Sequence, residues 1–317
     1  MKILSESNNI LKYPNHINRL EIGNLSAREM DALFNILYLV YMDRGDDTRQ
    51  YRVSTKKFYE IINEAYKYRT TQQEQNENLI HLIKKLYQVQ YTLHNEKCFL
   101  ITGLFSEMYL AYEYENILYK DPTTLTREDF SPNLKIPKFN CLYFELTSFA
   151  KEILTNVYDN FTIIDIIDFF TIRSKYAKSL YRLLMQFNST GEAYFEWEDF
   201  CRKMGMWENS ERKLLSTRER IDRINKAIKE LTQVTLFSQK PAFYNLKCER
   251  ISHKGRGVTT KVGGGIKRIN FSFIPRKQVE YLAHNNPQIL QRLNADDFNA
   301  KEEVRKAFKQ FLRGMSI

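Results

Sequence analysis

Apolar residues recur at three- and four-residue steps in several stretches of the chain, the period of a helix with one buried face. Met30, Leu33, Phe34, Leu37, Tyr38 and Tyr41 form the first stripe, and Ser26 with Glu29 three residues on has capping-box spacing at its start. That helix is predicted to end near Arg44-Gly45-Asp46-Asp47. A β-prone run, Tyr51–Val53, leads to Ser54 as the cap of a second helix through Tyr66. Leu79, Leu82, Ile83 and Leu86 mark a third helix over Asn76–Tyr87, and Val89–Leu93 with Lys97–Leu104 read as hairpin strands around His94-Asn95-Glu96. Pro122, Pro132 and Pro137 punctuate a loop, after which come a strand, Cys141–Leu146, and a helix from Thr147 to about Asn156.

The second half repeats this order without obvious residue identity. Phe161–Ile172 is mostly apolar, and Ser174 caps a helix to about Phe187, buried through Ala177, Leu180, Tyr181 and Leu184. Asn188–Gly191 turns the chain into a short strand, Ala193–Phe195, followed by a helix over Trp197–Met204 that Gly205 ends. Glu211–Leu231 reads as an amphipathic helix with Leu214, Ile221, Ile224, Ile228 and Leu231 in its apolar stripe. Three β-prone runs follow, Val234–Phe237, Phe243–Cys248 and Ile269–Ile274, with a glycine-rich loop before the last. The fold class is α+β, mainly helical: two tandem winged-helix domains, then a helical extension over 278–317 broken by Pro287. The expected layout is a polar tail over 1–20, one domain over 21–157 and a second over 158–277.

Charge sharpens this outline. The chain carries a net +10, but residues 1–150 hold 18 Lys/Arg against 19 Asp/Glu, and residues 151–317 hold 30 against 19. The quarter from Arg202 to Lys277 holds 19 Lys/Arg and 6 Asp/Glu. Charge confined to one half implies a polyanionic partner for that half, against the blander reading of a solvated basic surface. A basic helix followed by a basic hairpin suits double-stranded DNA, whose major groove admits a helix while its phosphates attract the loop. On the helix, Arg212, Lys213, Ser216, Arg220, Arg223 and Lys226 are the candidate contacts. On the hairpin they are Lys254, Arg256, Lys261, Lys267 and Arg268, beside five of the eleven glycines, all five between Gly255 and Gly265. A merely loose hairpin tip is the alternative there.

The runs FTIIDIIDFFTIRSKYAKSLYRLLMQF (161–187), YFEWEDFCRKMGM (194–206) and KAIKELT (226–232), with KGRG (254–257) and INFSF (269–273), resemble the iteron-binding replication initiators of theta-replicating bacterial plasmids. The resemblance is specific over Phe161–Phe273, with Val258–Gly265 lengthening the wing. It implies that the C-terminal domain reads direct repeats of a plasmid origin. It also implies that the N-terminal domain serves dimerisation and a secondary DNA contact. Autorepression as a homodimer, and engagement of a host initiator protein and the replicative helicase, follow from the same resemblance.

Other chemistry finds little support. Cys98, Cys141, Cys201 and Cys248 are scattered without a CxxC pair, which fits reduced thiols in the cytoplasm and argues against zinc. His16, His81, His94, His253 and His284 form no HxH or HExxH, so the metal cluster of a nicking initiator is missing and no enzyme activity is expected. Gly263-Gly264-Gly265-Ile266-Lys267 lacks the spacing of a phosphate loop, and no cofactor is expected. Asp165 and Asp168 read as polar helix positions, and Leu79, Leu82 and Leu86 as a core stripe too short for a coiled coil. There is no signal-peptide core or membrane-length apolar run, so no membrane partner is expected. A winged-helix repressor without an initiator role stands as the rival reading, and a nicking initiator as a more distant one.

Overall fold

The computed structural model describes residues 9–20, 22–42, 50–63, 71–94, 99–111, 138–155, 160–208, 213–233, 241–252, 255–256, 265–276, 279–280, 288–294, 299–300, 302–304 and 306. The chain forms two compact units, one over Arg28–Asn156 and the other joining the segment through Ala27 to everything from Val157 onward. No helix among the described residues is long and apolar enough to cross a membrane.

The opening segment differs from the expected tail. Residues 10–20 form β1 (Ile10–Pro14) and a 3-10 turn (Asn15–Arg19), and Leu11, Tyr13, Ile17 and Leu20 are buried. The strand β1 pairs antiparallel with β7 (Phe161–Asp165), Leu11 opposite Ile164. Tyr13 donates its hydroxyl hydrogen to Asn18, and the Asn18 amide donates to Thr162 and Gln186. Five residues whose partner lies about 150 positions away leave no local signature, because the pairing is entirely non-local. Gly23 is pressed against Gly205, where a Cβ would lie 2.3 Å from the Gly23 Cα, and Gly205 has φ +66°. Only glycine tolerates both conditions.

The Arg28–Asn156 unit is built on α1 (Ala27–Met42), which is buried on most sides, Asp31 and Asn35 included. β2 (Gln50–Ser54), α2 (Lys56–Asn63) and α3 (Gln72–Tyr87) follow. A Thr71–Glu74 capping box starts α3 four residues before the apolar stripe suggests. β3 (Gln90–His94) and β4 (Phe99–Gly103) make the expected hairpin, and among the described residues they pair only with each other. The sheet of the unit has the order β2-β6-β5, from β5 (Phe105–Ala111) and β6 (Cys141–Leu146), and α4 (Ser148–Thr155) closes it. A bulge between Phe105 and Glu107 breaks the two-residue alternation in β5, which hides that strand from a pattern reading.

In the other unit, β7 leads into α5 (Ile166–Thr171), α6 (Lys175–Met185), β8 (Glu192–Glu196) and α7 (Trp197–Lys203). The Ser174 hydroxyl caps α6, as the sequence predicts. A two-residue ladder joins β9 (Trp207–Glu208) to β10 (Lys213–Leu214), and α8 (Thr217–Thr232) follows. β11 (Phe243–Ser252), β12 (Gly255–Arg256) and β13 (Ile266–Pro275) complete a sheet of order β12-β11-β13-β8. In each unit an earlier strand lies beside the last one: β2 on β6, β8 on β13. The expected strand over Val234–Phe237 falls outside the described residues.

The C-terminal extension is part of this second unit. Val279, Ile289, Leu293, Ala300 and Val304 pack with Ile274 and Tyr244, and α9 (Ile289–Asn294) begins two residues after Pro287. Asn245, at φ +51°, donates its amide to the Leu293 carbonyl at 2.8 Å, tying the extension to the bulged start of β11.

A strand that belongs to the core should respond as a core. Leu11→Ala is predicted to destabilise the full-length chain by about 2–5 kcal/mol in denaturant unfolding. A change near zero would place residues 10–20 outside the folded core.

Candidate nucleic-acid interface

The interface is organised by α8, which begins at Thr217 rather than at Glu211. Ser216 is its N-cap. The Ser216 hydroxyl donates to the Glu219 carboxylate at 2.6 Å and accepts the Glu219 backbone N–H at 3.3 Å, while the Ser216 N–H donates to Glu219 Oε2 at 3.1 Å. A residue expected on the groove face thus closes the helix. The expectation failed because Leu214 lies seven residues before Ile221 and matches the period of the stripe, whereas its backbone belongs to β10.

Packing decides which way α8 faces. Arg220, Ile224, Ala227 and Leu231 are buried, and α8 packs on α6. At about 100° per residue the opposite face then carries Arg218, Asp222, Asn225 and Lys229, all exposed. This row lies well round the helix from the set chosen on the apolar stripe alone. Arg250, on β11, donates to Asn225 Oδ1 at 3.4 Å and brings a third cation to the row. Of this group the sequence reading named none, since an arginine in the helix's inner stripe was not anticipated.

Arg220 is the clearest correction. It is only 8% exposed, donates from Nη1 to Glu198 Oε1 at 3.0 Å and from Nη2 to Thr217 Oγ1 at 3.3 Å, and lies 5.3 Å from the Trp197 ring centroid. Burial opposes its charge, but Glu198 and Cys201 outweigh this and hold its pKa above the usual guanidinium value. Burial likewise pushes the Cys201 thiol up to about 12, so it stays neutral. Arg220 therefore serves as a strut between α7 and α8 instead of a groove contact.

The remaining candidates divide. Arg223 is exposed with its guanidinium 5.5 Å from the Tyr176 ring, on the side toward α6. Lys226 is exposed and pairs with Asp222 at 2.8 Å, one turn back, a weak surface pair that leaves it available. The Lys213 backbone pairs with Glu208 in the β9–β10 ladder, and the Arg256 backbone pairs with Ile251 in β12. Arg212, Lys254 and Lys261 lie outside the described residues. In β13, Ile269, Phe271 and Phe273 are buried and Arg268 alternates with them, whereas Lys267 is exposed at the register shift opposite Ile251 and Ser252. Arg268 donates to Glu196 Oε1 at 2.7 Å. Among the described residues no group of three His, Cys, Asp or Glu could hold a metal ion.

A polar, cationic helix face flanked by an arginine-bearing ribbon, set in a mixed helix-and-sheet unit, is the build of a DNA-binding protein. Residues 10–185, over half of the chain, match the family described as "Initiator Replication protein, WH1". The chain belongs to this family of replication initiators with a winged-helix domain. The match begins at the first residue of β1 and runs through α6. Among solved structures the chain is similar in fold to a Pi initiator protein, solved in complex with iteron DNA. Identity is 13% and the TM-score 0.55, covering 86% of this chain and all of that one. No curated protein sequence matches the chain.

Two outcomes test this face. Arg218→Ala and Asn225→Ala should each weaken binding to the target duplex by about 1–3 kcal/mol, with relaxed preference at one position. An equal loss on unrelated duplex would make them phosphate contacts. The Ser216 bonds hold Glu219 below its ordinary carboxylate range. Because the folded value is the lower one, the stabilisation is present above about pH 4.3 and disappears as pH falls through the lowered value. Amide exchange in the first turn of α8 should accelerate on that acid limb, and Glu219→Gln should remove the pH dependence. Identical acid limbs in both proteins would refute the capping role.

Proposed function

We propose that this initiator binds direct repeats at a plasmid origin, with the exposed row on α8 in the major groove and Arg250 and Lys267 along the adjoining phosphates. The observation that carries this reading is the row itself: Arg218, Asn225 and Lys229 on the face opposite the buried stripe, with Arg250 hydrogen-bonded to Asn225. Arginine suits guanine and asparagine suits adenine, each through two groove atoms, while lysine holds phosphate. Asp222 on the same row repels phosphate and accepts from cytosine, which favours base reading over unspecific adhesion.

In this reading the chain is a tandem of two winged helices, supported by the shared element order and by a last strand that returns to an earlier one in each unit, β6 on β2 and β13 on β8. The partner that matters most is double-stranded DNA. A homodimer that represses its own gene, and contacts to a host initiator protein and the replicative helicase, follow from the family resemblance. The work takes place in the cytoplasm, where plasmids replicate. The chain acts by binding and bending rather than by catalysis, since deformation of several occupied repeats can supply the energy for strand opening.

Footprinting on DNA flanking the chain's own gene tests the proposal. Protection of an array of direct repeats is expected. Affinity should fall with salt at a slope of about −0.9 per phosphate neutralised. Supercoiled DNA carrying the array should remain unnicked with Mg²⁺. Protection of one inverted repeat alone would favour a repressor, and nicking would favour an enzyme.

A further inference from the structure

Three consecutive residues, Glu196, Trp197 and Glu198, stand where β8 ends and α7 begins. Each is turned toward α8 or β13, the helix and ribbon of the proposed interface. Glu196 occupies the N-cap of α7, where serine, threonine, aspartate or asparagine would bond the first turn, yet it makes no capping bond. Its carboxylate instead holds Arg268 on β13 at 2.7 Å. Trp197 is buried with its ring beneath the Arg220 guanidinium, and Glu198 takes the Arg220 ion pair at 3.0 Å. The β8 strand is itself paired to β13 through Arg268 opposite Glu196.

We propose that this Glu-Trp-Glu triplet is a positioning bracket: it sets α8 and the β13 ribbon at a fixed angle to one another, and so governs sequence discrimination without touching DNA. The inference rests on α8 being the groove helix. Two carboxylates paired with arginines of the most basic quarter of the chain repel phosphate and oppose affinity, so their value lies in geometry. Arg220 and Arg268 are cations that a charge count assigns to DNA, yet each is held by a carboxylate of the triplet. The two arms differ in strength. The Glu198–Arg220 arm is largely enclosed on the arginine side, whereas Glu196 and Arg268 are both about half exposed, at 56% and 54%, which makes theirs the weaker contact.

The test uses the full-length chain, a duplex carrying the footprinted repeat, and a scrambled duplex of equal length. Affinities are read at several salt concentrations together with the thermal midpoint. Glu198→Gln should lose about tenfold in affinity for the repeat, the scale expected for directly coupled residues. It should bind the scrambled duplex as well as before or better, and its salt slope should not change, because no phosphate contact is removed. Glu196→Gln should act in the same direction with a smaller loss. The double exchange Glu198→Arg with Arg220→Glu should recover discrimination. Parallel losses on both duplexes with a falling midpoint would overturn the bracket and leave a stability role. A salt slope in Arg220→Gln shallower by about 0.9 would make Arg220 a phosphate contact and overturn it too. If the unaltered chain fails to prefer the repeat, the groove reading fails and takes the bracket with it.

Discussion

The burial of one face of α8 is the constraint on which the rest depends. Ile224, Ala227 and Leu231 leave no freedom in how the helix is rolled, because turning it by one residue would drive charged side chains into the core. Arg220 joins that face because Glu198 and Thr217 take its two Nη groups and Trp197 lies against its guanidinium. Once the roll is set, the opposite side chains are chosen by geometry: Arg218, Asp222, Asn225 and Lys229, with Arg250 hydrogen-bonded to Asn225. Affinity for a polyanion could come from any cationic surface. In the proposed reading, a rigidly rolled helix is what turns charge into sequence discrimination.

The same unit depends on contacts that cross long stretches of chain. β1 pairs with β7, Asn18 bonds Thr162 and Gln186, and Arg182 donates to the Ile17 carbonyl from within α6. Burial lowers the Arg182 pKa to about 10, with the Tyr13 hydroxyl working in the other direction. Lys178, one turn earlier, is also fully buried and donates to the Phe169 carbonyl. Arg276 forms an ion pair with Asp168, so that aspartate is an anchoring residue on α5. The cationic character of this half is therefore of two kinds, one structural and internal, the other external and available.

Local signals carried much of the fold. Ser174 opens α6 at the predicted place, β6 covers the predicted residues, and Gly205 ends the α7 region with a left-handed backbone. What stayed hidden was non-local or interrupted. β1 has its partner far along the chain, β5 is masked by its bulge, and the β3–β4 hairpin gives no hint that β2 prefers β6. The candidate site was legible as a basic helix and ribbon but not in its facing. Counting cations located the helix and ribbon, whereas the choice of face required knowing that Arg220 is buried and that Ser216 is a cap.

Dimethyl sulfate interference tests the central claim most directly, because one reagent marks both grooves: guanine N7 in the major groove and adenine N3 in the minor. The account predicts that methylated guanines within a repeat block binding of the unaltered chain, and that Arg218→Ala loses sensitivity at one of them. Interference confined to adenines, with guanine methylation tolerated, would contradict the placement of α8 in the major groove.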